Sequence, residues 1–436
     1  VGQNVEGGTS GKVVGMQIEQ SVADAPILLS DEDRAILDLE CATVVGHTCK
    51  VIQLAPDGLD ASRVREIVAS RIAAEPLLTR KLGGTPSAPA WVVDPDFDIE
   101  QHIVGVDFAA PLDPHGLRRY VAAQFACHLT RERPLWRMDV VSLDTGGTAL
   151  IWRLHHALAD GTTVMRFSRS LLWDPWENTA KVKVPAQHDD DPRRRWHLAS
   201  FCQREFARSR GPSPFDGDIS TERAVGMATL PLGEVKRAAR EVAGATINDA
   251  LLSIVAGAIR HYLETHHGSV SDIRVRVPVS LHHEGDTTAN RDSFFSLRLP
   301  LHIADPAERL HVVRAATLLR KRDHDADLED ALLHEFPDAL QLRRFVERLN
   351  ASPRRFAVSV SNVPGPRREV SIAGVPVTSM LGIAEIGLRH ALRVAATSLH
   401  DRLNLGFCAD PYLVPQVQTM ADATEIEAAA LIAAAG

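Results

Sequence analysis

Apolar residues fall into alternating helical and strand-like spacings along the chain. Residues 63–82 and 116–129 carry apolar positions at helical spacing, as do 162–172. Thr148 to His155 is a short apolar run of the kind found in buried strands. Thr246 to Leu263 predicts a helix, because Leu251, Ile254, Val255, Ala258 and Tyr262 form one stripe. Thr246 followed by Asp249 resembles a capping box at its start. Residues 273–280 and 294–301 alternate like strands, and 306–321 is helical. Phe356, Val358 and Val360 alternate before Asn362-Val363-Pro364-Gly365-Pro366, which ends that strand in a turn.

Between these patterned stretches, residues 173–217 hold five prolines, and Asp189-Asp190-Asp191 stands before Arg193-Arg194-Arg195. Opposite charge blocks among prolines read as a solvated connector. The chain thus divides into an N-terminal tail (1–25), a first α/β unit (26–172), the connector (173–217) and a second α/β unit (218–436). No fixed-period repeat is visible, which excludes solenoids and propellers.

Composition narrows the functional classes. The 436 residues are 45% hydrophobic and 24% charged, near globular averages. A formal net charge of -8 disfavours nucleic acid as a partner, which calls for a basic footprint. No apolar run approaches the roughly 20 residues of a membrane helix, and the Gly-rich start lacks an apolar signal core. The five cysteines contain no C-x-x-C pair, so neither a disulfide framework nor a structural zinc site is expected. A cytoplasmic protein is the expectation.

One constellation carries chemistry, His155-His156-Ala157-Leu158-Ala159-Asp160-Gly161. A strand running from Thr148 into the pair sends the two imidazoles to opposite faces, so one reaches a given pocket and the other packs. Asp160 suits a helix N-cap and Gly161 a tight approach of the backbone. A neutral imidazole is a suitable base toward an alcohol at neutral pH. Imidazoles on opposite faces cannot chelate one ion, so no metal is expected there. His266-His267 lacks an acid at the same spacing, and His282-His283 puts its Asp one residue early; both read as solvated.

His155 to Gly161 matches the H-H-x-x-x-D-G signature of CoA-dependent acyltransferases, shared by chloramphenicol acetyltransferase and peptide-synthetase condensation domains. Pro134-Leu135-Trp136 precedes it, and the Asn248-Asp249 helix start and Ser361 to Pro366 follow it in order. Together they resemble the bacterial wax ester synthase/diacylglycerol acyltransferase family over residues 29–410. Three departures stand out. Leu29-Ser30-Asp31-Glu32-Asp33 replaces L-S-P-x-D, Ala289-Asn290 replaces Gly-Asn, and Ser398-Leu399-His400-Asp401 replaces a Ser-Tyr-x-Gly pattern.

The resemblance implies an α/β fold of two chloramphenicol-acetyltransferase-like subdomains, each a mixed sheet with helices, and a substrate tunnel at their interface. It implies transfer of a long-chain acyl group from acyl-CoA to diacylglycerol or a long-chain alcohol, acyl-CoA serving as co-substrate without a further cofactor. His156 is the implied general base, with His155, Asp160 and Gly161 shaping its loop and no acyl-enzyme formed. Asn248 is assigned either an oxyanion contact or first-turn capping, and Asp249 capping or an interface contact. Pro134, Leu135 and Trp136 are assigned to packing under the site or to tunnel lining, and Asn362 to a turn at the interface. A peripheral membrane or lipid-droplet surface is the implied meeting place. Another acceptor (a sugar, polyketide or carrier-bound group) and a non-catalytic acyl-CoA or lipid binder are the alternatives.

Overall fold

The structure, a computed structural model, describes residues 25–56, 58–175, 213–268, 270–280, 292–322 and 356–436. The connector 176–212 and the His282-His283 comparison lie outside them. Two six-stranded mixed sheets form the frame. In chain order the strands are β1 (Ile27–Leu28), β2 (His47–Leu54), β3 (Arg80–Thr85), β4 (Ala88–Val93), β5 (Ile103–Gly105), β6 (Trp136–Ser142), β7 (Thr148–His155), β8 (Ala224–Pro231), β9 (Ile273–Ser280), β10 (Asp292–Leu299), β11 (Val358–Val363), β12 (Ser371–Ile372), β13 (Val375–Ala384), β14 (Leu392–Leu399) and β15 (Arg402–Ala409). The first sheet runs β12-β13-β2-β7-β6-β5 and the second β10-β9-β11-β14-β15-β8, while β1-β4-β3 make a small antiparallel sheet.

Strand β7 is buried at all eight positions, as its uninterrupted apolar run requires, because helices cover both faces of the first sheet. Its Leu150, Trp152 and Leu154 pack toward helices Ala61–Arg71 and Gly161–Leu171. Ala149 and Ile151 face the other way, into a core that takes in helix Pro114–Phe125 and the second sheet. Helix Ile247–His267 is the centre of that core; its capping box is present, with Thr246 and Asp249 bonding reciprocally.

One expectation is corrected. The helical spacing of 63–82 holds only over Ala61–Arg71; two 3-10 turns follow, and then β3. Pro76 disfavours helical geometry at the residue before it and lacks the N–H a continuing helix would need. The first sheet also takes in strands from the later part of the chain. β13, far along the second unit, inserts beside β2 and pairs with it from Val377↔Leu54 to Ala384↔Thr48, with a bulge between Val377 and Ser379. The connector's proposed ends are core as well, since Trp173 and Phe215 are buried.

No single helix among the described residues is long and apolar enough to cross a membrane. The apolar pair Leu232–Ala243 and Ile247–His267 is bent by 94° and contributes to the core.

Candidate active site

The histidine pair lies where β7 leaves the first sheet. Alternation along β7 turns His155 toward the face shared with Ile151 and Arg153, where the side chain is 1% exposed. Its Nδ1 accepts from the Ala157 N–H at 3.1 Å, which leaves the proton on Nε2. That nitrogen lies 3.1 Å from Glu40 Oε1. The imidazole and a second contact, to Arg131, hold the Glu40 carboxyl below its ordinary range against the opposing effect of burial. Gly46 makes room for this contact. Its φ is +69°, and a Cβ there would sit 2.6 Å from His155 Nε2.

His155 also anchors the loop through its backbone. Its N–H donates to Leu135 O at 2.9 Å, and its carbonyl accepts from Leu158 N and Ala159 N. His156 N–H donates to Gly46 O at 2.8 Å. The side chain of His156 is half-buried. Loss of water around the ring, and then the nearby Arg393 guanidinium, lower its pKa to about 4 against the opposing pull of Asp160. The imidazole is therefore neutral at neutral pH.

Asp160 is fully buried and N-caps helix Gly161–Leu171, accepting from Thr163 N at 2.6 Å. Gly161 follows with no left-handed backbone, so conformational freedom does not explain it. A Cβ there would meet Val363 Cγ2 at 2.8 Å. The glycine of one motif thus receives the valine of the Asn362 to Pro366 turn, joining the two units beside the histidines. Gly365 N in turn donates to Ser398 Oγ at 2.9 Å.

The remaining motif residues divide by role. Leu135 and Trp136 are buried under the sheet; the Trp136 indole donates to Leu78 O at 2.7 Å and stacks on His102 at 4.4 Å. Pro134 is buried beside them. This is packing, and its link to the site is the Leu135 carbonyl that receives His155 N–H. Asp249 is 2% exposed, with Oδ2 accepting from Thr246 and Oδ1 from the Thr317 hydroxyl at 2.6 Å. Its carboxylate is occupied by capping and by docking of helix Pro306–Arg322, which removes it from a substrate surface. Asn248 and Asn362 remain half-buried.

Glu40, Gly46, Lys50 and Arg393 escaped the sequence reading. Lys50 had a visible signal, a lysine inside the apolar run of β2. Arg393 and Glu40 had none, because they reach the histidines from strands and loops far away in sequence.

Residues 29–207 match the family described as the wax ester synthase/diacylglycerol acyltransferase catalytic domain, and residues 288–431 match the WS/DGAT C-terminal domain. A Mycobacterium tuberculosis protein provisionally named as a diacylglycerol O-acyltransferase is 30% identical, covering 88% of this chain and 93% of its own. The chain belongs to the wax ester synthase/diacylglycerol acyltransferase family. Within that family, the solved wax ester synthase/diacylglycerol acyltransferase from Marinobacter aquaeolei shares the fold. It superimposes with a TM-score of 0.71 at 23% identity, covering 94% of this chain and all of that one. The first condensation domain of the calcium-dependent antibiotic synthetase gives a TM-score of 0.62 at 17% identity, covering 95% and 97%. The family's catalytic domain makes this chain an acyltransferase of lipid metabolism.

Proposed function

We propose that this acyltransferase moves a long-chain acyl group from acyl-CoA to the hydroxyl of diacylglycerol or a long-chain alcohol, with His156 as general base. The supporting observation is the split of the pair: His155 is buried against Glu40 and holds the loop, while His156 is left neutral and half-open beside Arg393. The imidazole takes the acceptor hydroxyl proton as the oxygen attacks the thioester carbonyl. Collapse of the tetrahedral adduct breaks the carbon–sulfur bond, and the imidazolium returns its proton to the departing thiolate. Such proton transfer is worth about 10²–10⁴ in rate. Charge developing on the carbonyl oxygen needs donors, and Asn248 is the proposed one. The tunnel between the units would admit donor and acceptor from opposite sides, with Asn362 and Gly161 at their junction.

Acceptors of this kind reside in membranes and lipid droplets, so the reading puts the protein in the cytoplasm, meeting them peripherally. A second reading keeps the chemistry but uses a more oxygenated acceptor, such as a sugar, polyketide or carrier-bound group. The buried Lys50 ammonium favours it.

Release of free thiol from palmitoyl-CoA, measured with and without diacylglycerol or hexadecanol, tests the proposal. His156→Ala is expected to lower acceptor-dependent kcat at least 10²-fold. Thiol release that needs no acceptor, or that survives the substitution, would overturn it.

A further inference from the structure

Lys50 is 3% exposed, in the middle of β2, paired with Trp152 on one side and Gly382 on the other. An ammonium carries three donors. Among the described residues its hydrogen-bond acceptor is Thr397 Oγ1, at a long 3.5 Å. No carboxylate forms an ion pair with it there, although the field of Asp160 reaches it. Burial lowers its pKa to about 8, which still leaves the ammonium charged at neutral pH. A buried charge so thinly bonded is costly unless something else meets it.

The ammonium ends a strip whose side chains are small apart from Arg393 and Val363. Parallel pairing of β11 with β14 sets Ser359 beside Arg393, Ser361 beside Ala395 and Val363 beside Thr397. The period of two puts all six on one face. That face looks at the first unit at every position that can be checked. Arg393 acts on His156, Val363 receives Gly161, and Thr397 meets Lys50. Gly382 lets the ammonium lie close against the β13 backbone, since a Cβ there would be crowded at 3.0 Å by both Lys50 Nζ and Thr397 Oγ1. From Arg393 to Thr397 the strip covers four residues of strand, about 13 Å.

We infer that Lys50 is a specificity-determining residue that selects substrates bearing a hydrogen-bond-accepting oxygen along the chain held in this strip, over plain alkyl chains. The oxygen is an ester carbonyl of an acylglycerol acceptor or a hydroxyl on the acyl chain itself. This inference rests on the acyltransferase reading for the direction of the strip, but the ammonium's preference is separately measurable.

Lys50→Met and Lys50→Gln are compared with the unaltered protein, each first shown to fold by circular dichroism and a thermal melt. With palmitoyl-CoA as donor, the ratio of kcat/KM for 1,2-dioctanoylglycerol over hexadecanol is expected to fall about 10- to 100-fold in Lys50→Met, the size of one charge-assisted hydrogen bond. With hexadecanol as acceptor, the ratio for 3-hydroxypalmitoyl-CoA over palmitoyl-CoA is expected to fall instead if the oxygen belongs to the acyl chain. Both ratios unchanged would overturn the inference. If the unaltered protein acylates neither acceptor, the proposed acceptor class fails, and calorimetry still judges Lys50. Dioctanoylglycerol or 3-hydroxypalmitate binding at least 10-fold more weakly to Lys50→Met supports the role, and equal affinity refutes it. Should Lys50→Met fail to fold, Lys50→Gln, which keeps a neutral donor, is expected to show the same ratios displaced by a smaller factor.

Discussion

Replacing Gly161 with alanine is a direct test of how the two units hold the histidine loop. The new methyl would lie 2.8 Å from Val363 Cγ2, closer than carbon atoms pack. Val363 is β-branched, and its χ1 is stiff, so it cannot swing aside cheaply. Overpacking of this kind costs about 1–3 kcal/mol. Alanine offsets part of that through its helix propensity, by less than about 1 kcal/mol at a first-turn position. The net expectation is a loss of about 1–2 kcal/mol, read as a lower urea midpoint. Catalysis should suffer more. The helix start carries Asp160 and, through it, the loop from His156, and a displacement of about 1 Å can cost about 10² in rate. Val363→Ala removes the obstructing methyl, so the double variant should recover about 1–2 kcal/mol relative to the sum of the singles, with part of the lost kcat. A coupling energy below about 0.3 kcal/mol, with kcat unchanged in Gly161→Ala, would refute the claim that this contact sets the loop.

Other expectations follow from buried charge. Arg223 reaches Glu385 at 3.0 Å and also bonds the backbone of Ser220, Glu222 and Thr43, while Glu385 accepts from Val45 N and Ile386 N. Arg223→Met strands a carboxylate and is expected to cost about 3–5 kcal/mol by urea titration, with Arg223→Met/Glu385→Gln recovering much of it; two additive losses would contradict the pairing. For His156, whose pKa is lowered to about 4, kcat/KM should stay flat from pH 7 to 5.5, and an acid limb near 6.5 would refute the lowered pKa. His102 and His390 are likewise pushed down to about 4 by burial, and His47 well below its ordinary value. The unfolded chain takes up these protons near pH 6.5 and the folded one does not. Stability is therefore full above that pH and lost as pH falls toward 4, by at most about 3 kcal/mol for each of His102 and His390. Thermal melts from pH 8 to 4.5 check this, and a melting temperature that does not fall below pH 6.5 would refute it.

The motif residues were legible in the sequence because their geometry is local. A strand of period two running into a turn must separate His155 from His156, and Asp160-Gly161 must then start a helix. The capping box of Thr246 and Asp249 is equally local, which is why both its partners could be named in advance. The end of the 61–71 helix was missed because helical spacing continued past a proline that breaks it.

What the sequence determined by itself is therefore several of the elements, their chemistry-bearing turns and the family. Tertiary structure alone decided which residues meet. β13 crosses into the first sheet, which brings Gly382 beside Lys50 and the neighbouring β14 with its Thr397. Gly161 owes its identity to Val363, about two hundred residues away, and the His155 ring is held against Glu40 across a loop. Spacing along a chain encodes which face a side chain takes. Its partner on that face depends on how separate elements pack, and no local period records that.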